Sequence, residues 1–257
     1  ENYKMLLKNR VAIVTGATQG VGRAIAEAFA KEGAIVYIIG RNMDNGLEVE
    51  RAICQTGAEA HFIKSDVSVT SDVDHVFDTV MKDQGRIDIL VNHAAISYRA
   101  TLDKMKEDEW DKLINVNLKS VYLYSHRAIP IMANQKKGVI LNMGSVTALV
   151  GVNEFPAYAA AKAGMLALTR GIAMDHSHQG IRSVIICPGG IKTKLTEWEY
   201  ASAADPIEAQ RKSIESYPLK RLAEPEEIAD LAVFLASDKA AFITGVPISI
   251  DGGFTTH

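Results

Sequence analysis

The stretch that decides the fold is residues 11–22, VAIVTGATQGVG. It begins with a short apolar run, which is typical of a buried parallel strand. The apolar residues that follow, over residues 21–32, fall on one face of a helix. Between these elements, Gly16, Gly20 and Gly22 carry no Cβ atom, so the backbone can approach a phosphate that the helix N-terminus attracts. The stretch therefore predicts a strand, a phosphate-binding turn and a helix.

The alternation of strand and helix continues to the end of the chain. Strands are predicted at residues 11–14, 35–39, 60–63, 87–91, 138–143, 181–187 and 246–250. Helices are predicted at residues 21–32, 43–55, 70–83, 106–132, 158–174 and 225–236. Helical connections of this length imply right-handed crossovers. We therefore expect an α/β fold, a doubly wound parallel sheet of about seven strands with helices on both faces, in a single domain over residues 1–257.

One segment interrupts this rhythm. Residues 194–217 follow the sixth strand and are polar, with two aromatic residues, Trp198 and Tyr200. Loops at this edge of a doubly wound sheet border the crevice that binds ligands. The segment is predicted to be a substrate loop, with a short helix over residues 207–217.

Composition excludes several classes of protein. The net charge of −3 offers no field for nucleic acid, and no apolar run reaches about 18 residues, the length that a membrane-spanning helix needs. The two cysteines, Cys54 and Cys187, give neither a disulfide framework nor a zinc motif, so we expect reduced thiols in a cytoplasmic protein. Of the seven histidines, His176 and His178 face different sides of a helix end, and we expect no metal site.

The end of the second strand bears on the choice of cofactor. A glycine turn between a strand and a helix is typical of dinucleotide binding, and an Asp or Glu about 20 residues downstream often holds the ribose 2′-hydroxyl. Here the strand ends in Gly40-Arg41 with no acid. A guanidinium suits a 2′-phosphate, so we expect NADP(H) to be favoured over NAD(H), which stays possible. The alternative interpretation is that Arg41 is a solvated loop residue.

Three downstream residues have the chemistry to move a proton. Tyr158 and Lys162 are spaced i, i+4 and face one side of a predicted helix. A free phenol has a pKa of about 10, and a nearby ammonium favours the phenolate. Ser145 follows the fifth strand, where its hydroxyl can hold a substrate oxygen. Beside a dinucleotide turn, this set predicts hydride transfer between a secondary alcohol and a ketone, with Tyr158 as the general acid/base.

These motifs, in this order, resemble the short-chain dehydrogenase/reductase family over about residues 8–254. The resemblance also rests on C-terminal motifs that include Ile243-Thr244-Gly245 and Asp251-Gly252-Gly253. It implies catalytic roles for Asn117, Ser145, Tyr158 and Lys162. It implies cofactor contacts from Gly16, Thr18, Gln19, Gly20, Val21, Gly22, Arg41, Asp66, Val67, Asn92, Ala94, Tyr158, Lys162, Pro188, Gly189, Ile191 and Thr193.

The resemblance gives these residues particular roles. Lys162 would lower the pKa of the Tyr158 phenol and bind the nicotinamide ribose, and Asn117 would support a water-mediated proton relay. Family members are commonly homotetramers or homodimers, so we expect such an assembly. One motif departs from the family: Asn92-His93-Ala94-Ala95 stands where Asn-Asn-Ala-Gly is usual.

The substrate stays open at this point, as a small carbonyl or alcohol. We expect substrate contacts from Val146, Asn153, Phe155 and Trp198. Polar residues such as Arg99 fit a sugar acid or polyol, the general resemblance fits a 3-oxoacyl thioester, and the apolar residues fit a cyclic or steroid-like ketone. The alternative function is a catalytically idle nucleotide-binding scaffold, although such a scaffold has no need of all the proton-transfer residues.

Overall fold

The computed structural model describes residues 5–201 and 205–256, without the side chains of Leu195, Trp198 and Glu199. All strands of the sheet run parallel. They are β1 (Val11–Thr15), β2 (Ile35–Gly40), β3 (Ala60–Lys64), β4 (Ile89–Asn92), β5 (Gly138–Met143), β6 (Ile181–Pro188) and β7 (Pro247–Ile250).

Helices connect the strands. They are α1 (Gly20–Lys31), α2 (Met43–Cys54), α3 (Thr70–Gln84), α4 (Glu107–Ile114), α5 (Ser120–Gln135), α6 (Pro156–His176), α7 (Lys194–Ala201), α8 (Pro206–Glu215) and α9 (Pro225–Ala236). A five-residue π-helical turn, Asn115–Lys119, joins α4 to α5. No helix in the described ranges is long and apolar enough to cross a bilayer.

The sheet has apolar cores on both faces because its strands alternate their side chains. In β1, Ala12 and Val14 enter one core with Ile25 of α1, whereas Val11 and Ile13 enter the other. All of β1 is buried, as the continuous apolar run predicts. The predicted α/β fold with a doubly wound, seven-stranded parallel sheet is confirmed.

Strand order places the site. The order is β3-β2-β1-β4-β5-β6-β7, so the chain winds outward from β1 and then returns to start the other half at β4. The connections after β1 and β4 therefore leave opposite faces of the sheet, and a crevice opens between them at the carboxyl ends. The glycine turn, the segment after β4 and the segment after β5 all meet this edge.

Most predicted ends differ from the observed ones by one or two residues, and three differences have a structural meaning. The fourth strand begins at Ile89 because the carboxylate of Asp88 accepts a hydrogen bond from the Val11 amide, at 2.8 Å, just before the ladder. The predicted helix over residues 106–132 is α4 and α5 with the π-helical turn between them. The predicted loop at residues 194–217 contains two helices, α7 and α8, rather than one short helix.

The segment after β6 is tied down by tyrosine hydroxyls. Tyr217 accepts a hydrogen bond from the Gly190 amide, at 2.8 Å, and Tyr200 of α7 donates to Ser213 of α8, at 2.7 Å. Each bond joins residues more than ten positions apart in the chain. The two bonds therefore stabilise the placement of α7 and α8, although the segment has no long apolar pattern.

Candidate active site

The turn between β1 and α1 packs tightly on itself and on the segment after β4. Gly16 has a positive φ of 68°, and a Cβ on this residue would lie 2.8 Å from the Cα of Ala94. A Cβ on Gly22 would overlap the carbonyl oxygen of Gly16. Side chains at these two positions would therefore open the turn or strain it. The predicted glycine requirement has this close packing as its physical cause.

The N-terminus of α1 is electrostatically suited to an anion. Gln19 precedes the helix in an extended conformation and forms no side-chain cap, and no acidic residue lies in the first turn. The first amides of the helix and its positive dipole end are therefore available to a phosphate. The Val21 side chain is buried in the core, so it does not cover the first amides of the helix. The residues present fit a dinucleotide at this position.

Arg41 and Asp66 meet at the carboxyl ends of β2 and β3. The Arg41 Nη1 atom lies 3.6 Å from the Asp66 Oδ2 atom, and 64% of the Arg41 side chain is exposed. Burial opposes ionisation of Asp66, but hydrogen bonds from Ser68 and the charge of Arg41 outweigh it and lower the pKa of Asp66. Val67 is buried next to this pair. Gly40 packs against Thr18, which connects the glycine turn to the same corner.

Thr15 holds the segment after β4 against the glycine turn. Its hydroxyl oxygen accepts hydrogen bonds from the amides of His93, at 2.9 Å, and Ala94, at 3.1 Å. The His93 Nδ1 atom is buried against Gly16 and Gly22 without a hydrogen-bond partner in the described residues. Burial and the charge of Lys162 lower the pKa of His93 to about 4, so the ring is neutral at physiological pH.

Asn92 begins a buried line of polar side chains. Its amide nitrogen donates to the Asn142 side-chain oxygen, at 2.8 Å, and the Asn142 amide nitrogen donates to the Thr169 hydroxyl, at 2.9 Å. Thr169 donates in turn to the Met165 carbonyl, at 2.8 Å. This line joins β4 and β5 to α6, the helix that carries Tyr158.

Lys162 is the charged centre of the site. The side chain is 1% exposed, and its ammonium donates to the Met143 carbonyl at the end of β5, at 2.6 Å. Burial lowers the pKa of Lys162 to about 8. The Nζ atom lies 5.3 Å from the centre of the Tyr158 ring, so the i, i+4 prediction of one shared face is met.

Ser145 is positioned by the turn that follows β5. It precedes a short 3₁₀ turn, Val146–Ala148, which packs against α6, and its hydroxyl oxygen accepts a hydrogen bond from the Thr147 amide, at 3.2 Å. That bond uses an oxygen lone pair, so the hydroxyl proton is free to turn toward another acceptor.

Asn117 lies in the π-helical turn and is fully buried. Its side-chain oxygen accepts from the Ile96 amide, at 2.8 Å, and its amide nitrogen donates to the Ile96 carbonyl, at 2.7 Å. The side chain thus fixes the segment after β4, and the predicted proton relay stays a prediction. π-helical turns often occur at functional sites. The apolar pattern of the predicted long helix does not indicate this local widening.

The segment from Pro188 to Thr193 closes the site from the β6 side. Gly189 donates to the Ile250 carbonyl, at 3.1 Å, and Ile191 pairs with Ala223. The Thr193 methyl would lie 3.8 Å from a Cβ on Gly20, so this segment meets the glycine turn.

Only some of the predicted substrate residues lie next to Ser145 and Tyr158. The Phe155 ring contacts the Tyr158 ring edge-on, with centroids 6.1 Å apart, and Val146 is buried beside Ser145. Asn153 is exposed. The Trp198 side chain lies outside the described residues. Arg99 pairs with Glu154, Nε to Oε2 at 2.6 Å.

Sequence reasoning assigned no role to Thr15, Asn142 or the Met143 carbonyl. Thr15 stands within the decisive stretch, so its polar side chain at the end of an apolar run was a usable signal. A carbonyl has no signature in sequence, because every residue has one. In the described ranges, no group of three or more His, Cys, Asp or Glu residues is arranged to hold a metal ion.

A family model described as enoyl-(acyl carrier protein) reductase matches residues 16–255. The chain belongs to the short-chain dehydrogenase/reductase family. It is 37% identical to a 3-oxoacyl-[acyl-carrier-protein] reductase, FabG, of Thermotoga maritima, over 97% of this chain and 99% of the relative. It is 36% identical to 3beta-hydroxysteroid dehydrogenase 1 of Eggerthella lenta, over 98% of this chain and 95% of the relative.

A solved structure agrees with the fold of this dehydrogenase/reductase. The crystal structure of gox2181 superposes with a TM-score of 0.93 at 32% identity, over 99% of this chain and 98% of that one. The two sequence relatives act on an acyl-carrier thioester and a steroid by their names, so they support an oxidoreductase of this family without selecting a substrate. Nothing among them supports the idle scaffold.

Proposed function

We propose that this short-chain dehydrogenase/reductase interconverts a secondary alcohol and a ketone with NADP(H), and that Tyr158 is its general acid/base. The observation that carries the proposal is the Lys162 ammonium, buried 5.3 Å from the Tyr158 ring centre at the sheet edge where the glycine turn opens. Taking a cation out of water costs free energy, and the hydrogen bond to the Met143 carbonyl offsets only part of that cost. Beside a phenol, its charge favours the phenolate that an alcohol oxidation requires.

The residues divide the reaction among them. The Ser145 hydroxyl proton holds the substrate oxygen, and the Tyr158 hydroxyl gives its proton to that oxygen in reduction and takes it back in oxidation. Lys162 stabilises the charge left on the phenol. The nicotinamide, when bound, supplies or accepts the hydride. The Ser145 turn packs against α6, so Ser145 and Tyr158 lie on two neighbouring elements.

The preference for NADP(H) rests on Arg41. Among the described residues, its exposed guanidinium has one partner, Asp66, at 3.6 Å, which is a looser contact than a direct hydrogen bond. A 2′-phosphate brings two negative charges and closer acceptors to the same guanidinium. Replacing the Asp66 contact of Arg41 by a phosphate contact favours NADP(H) over NAD(H), although the Asp66 carboxylate lies close enough to repel the phosphate in part.

Assembly into a homotetramer or homodimer fits the exposed apolar surface at one edge of the sheet. β7 is an edge strand, and Phe242, Met174 and Val246 lie exposed near its start. An open edge with apolar neighbours is a site for a second chain. Sedimentation equilibrium measures the assembly directly, and a monomer at micromolar concentration would contradict it. The cytoplasmic location stays a prediction.

The test of the proposed function is a paired turnover assay with Tyr158→Phe. Wild-type protein should oxidise NADPH with a panel of ketones, and the variant should lose turnover by about a hundredfold or more, because it lacks only the transferable proton. Cofactor titration by fluorescence should give the same Kd for both proteins. Turnover of the variant at the wild-type rate would contradict the role of Tyr158.

A further inference from the structure

Arg99 lies beside Phe155, close to the proposed site, and only part of its guanidinium forms hydrogen bonds to the described residues. Its Nε atom donates to Glu154 at 2.6 Å, and in the described part of the chain no acceptor bonds to the two terminal nitrogens. The side chain is 64% exposed. A guanidinium held on one edge presents its other edge as a fixed pair of donors, which matches a carboxylate.

Aromatic contacts connect this guanidinium to the proposed acid/base. The Arg99 guanidinium carbon lies 5.8 Å from the centre of the Phe155 ring, and the Phe155 ring lies 6.1 Å from that of Tyr158. Ile96 and Tyr98, just before Arg99, pack in the same apolar cluster as Tyr158. The Arg99 guanidinium and the ring of Tyr158, the proposed acid/base, therefore both contact the Phe155 ring.

The position of Arg99 is fixed from two sides. Asn117 binds both backbone groups of Ile96, and the Ala100 amide donates to the Glu154 carbonyl, at 2.9 Å. Glu154 itself has a φ of 63°, a region that costs a residue with a side chain about 1 kcal/mol or more. This backbone conformation is kept although it is unfavourable, and it places the Glu154 carboxylate against Arg99.

We propose that Arg99 binds a carboxylate of the substrate, so the preferred substrates are keto acids and hydroxy acids whose reacting carbon is several bonds from the acid group. The inference rests on the proposed alcohol–ketone chemistry and narrows it. The separation is inferred from the Phe155 ring, since the Arg99 guanidinium carbon lies 5.8 Å and the Tyr158 ring centre 6.1 Å from its centre. A longer chain can lie along the face of this ring, so we expect acids with a distant carbonyl to fit better than 2-keto acids.

The alternative role of Arg99 is a latch that only joins two segments at the site. The pair with Glu154 is compatible with both roles, because it links residues on either side of the mouth. The roles differ in one respect: a latch affects every substrate equally, whereas a carboxylate site affects only acids. Substrate pairs that differ only in charge therefore separate them.

The experiment compares straight-chain keto acids of increasing length with their methyl esters, using NADPH consumption by the wild type, Arg99→Ala, Arg99→Lys and Lys104→Ala. Lys104 is an exposed cation of the same segment and serves as the control. Wild-type kcat/KM should favour the longer acids over their esters. Arg99→Ala should lower kcat/KM for the acids about ten- to a hundredfold and change that for the esters less than about threefold. Arg99→Lys should fall between, and Lys104→Ala should match the wild type.

Two kinetic results would overturn the inference: an equal loss for acids and esters in Arg99→Ala, or a wild type without preference for acids. Calorimetric titration of the longest keto acid into the NADP⁺-saturated protein gives a second readout that needs no turnover. Binding that Arg99→Ala abolishes supports the carboxylate site even if no ketone is reduced, in which case only the proposed function fails. Equal binding to both proteins, or none to the wild type, refutes the site.

Discussion

Replacing Lys162 by methionine should change how the stability of the cofactor-free protein depends on pH. Methionine keeps the length and apolar character of the side chain and removes its titratable group. Lys162 is buried, donates to a single carbonyl and has a pKa of about 8, whereas a lysine in an unfolded chain has a pKa of about 10.4. The folded state therefore releases this proton at lower pH than the unfolded state does.

The sign and size of the effect follow from those two values. Between about pH 8 and 10.4 the unfolded chain holds a proton that the folded chain has lost, so the free energy of unfolding of the wild type rises with pH across that window. Below it, the buried charge destabilises the fold by the full difference, about 3 kcal/mol. From pH 7 to 9.5 the wild type should gain about 2 kcal/mol relative to Lys162→Met.

Urea unfolding at fixed protein concentration measures this difference, since assembly would otherwise shift the midpoint. Titrating groups that Lys162 does not influence are common to both proteins and cancel. Lys104→Met, at an exposed lysine, is the matched control and should follow the wild-type curve. Parallel stability curves for the wild type and Lys162→Met over this pH range would refute the assignment of a buried, desolvated ammonium. The variant should also lose turnover, because the charge beside Tyr158 is gone.

Three further perturbations test other parts of the site. Arg41→Ala should weaken NADPH binding about ten- to a hundredfold and NADH binding much less, by fluorescence titration, and equal losses would show that Arg41 does not contact a 2′-phosphate. Asn142→Leu should lower the free energy of unfolding by about 1–3 kcal/mol, because Asn92 and Thr169 each lose a buried hydrogen-bond partner. An unchanged free energy of unfolding would show that these hydrogen bonds do not stabilise the fold. If α7 and α8, in the predicted substrate loop, close over the substrate as a lid, their hydrogen exchange should slow in the complex with cofactor and substrate, and strong protection already in the free protein would contradict this.

Much of the fold follows from the sequence by itself. The apolar run of β1 and the glycines behind it are local signals, because a buried parallel strand and a Cβ-free turn each constrain residues that are neighbours in the chain. The pair Tyr158 and Lys162 is equally local, since four residues of helix bring both to one face. The regular spacing of these elements then leaves few topologies for the sheet. These features could be predicted because each depends on residues close together in the chain.

Tertiary structure alone decided which distant groups meet at the site. The Met143 carbonyl that holds Lys162 is invisible in sequence, since a backbone carbonyl has no residue type. Asn117 forms its hydrogen bonds to Ile96 from a π-helical turn, and the apolar pattern of the helix does not encode that local widening. The contacts of Arg99 with Glu154 and Phe155 join segments more than fifty residues apart, and only the packing of those segments at the carboxyl edge of the sheet brings them together. Side-chain contacts of this kind depend on three-dimensional distance, which the periodicity of a sequence does not contain.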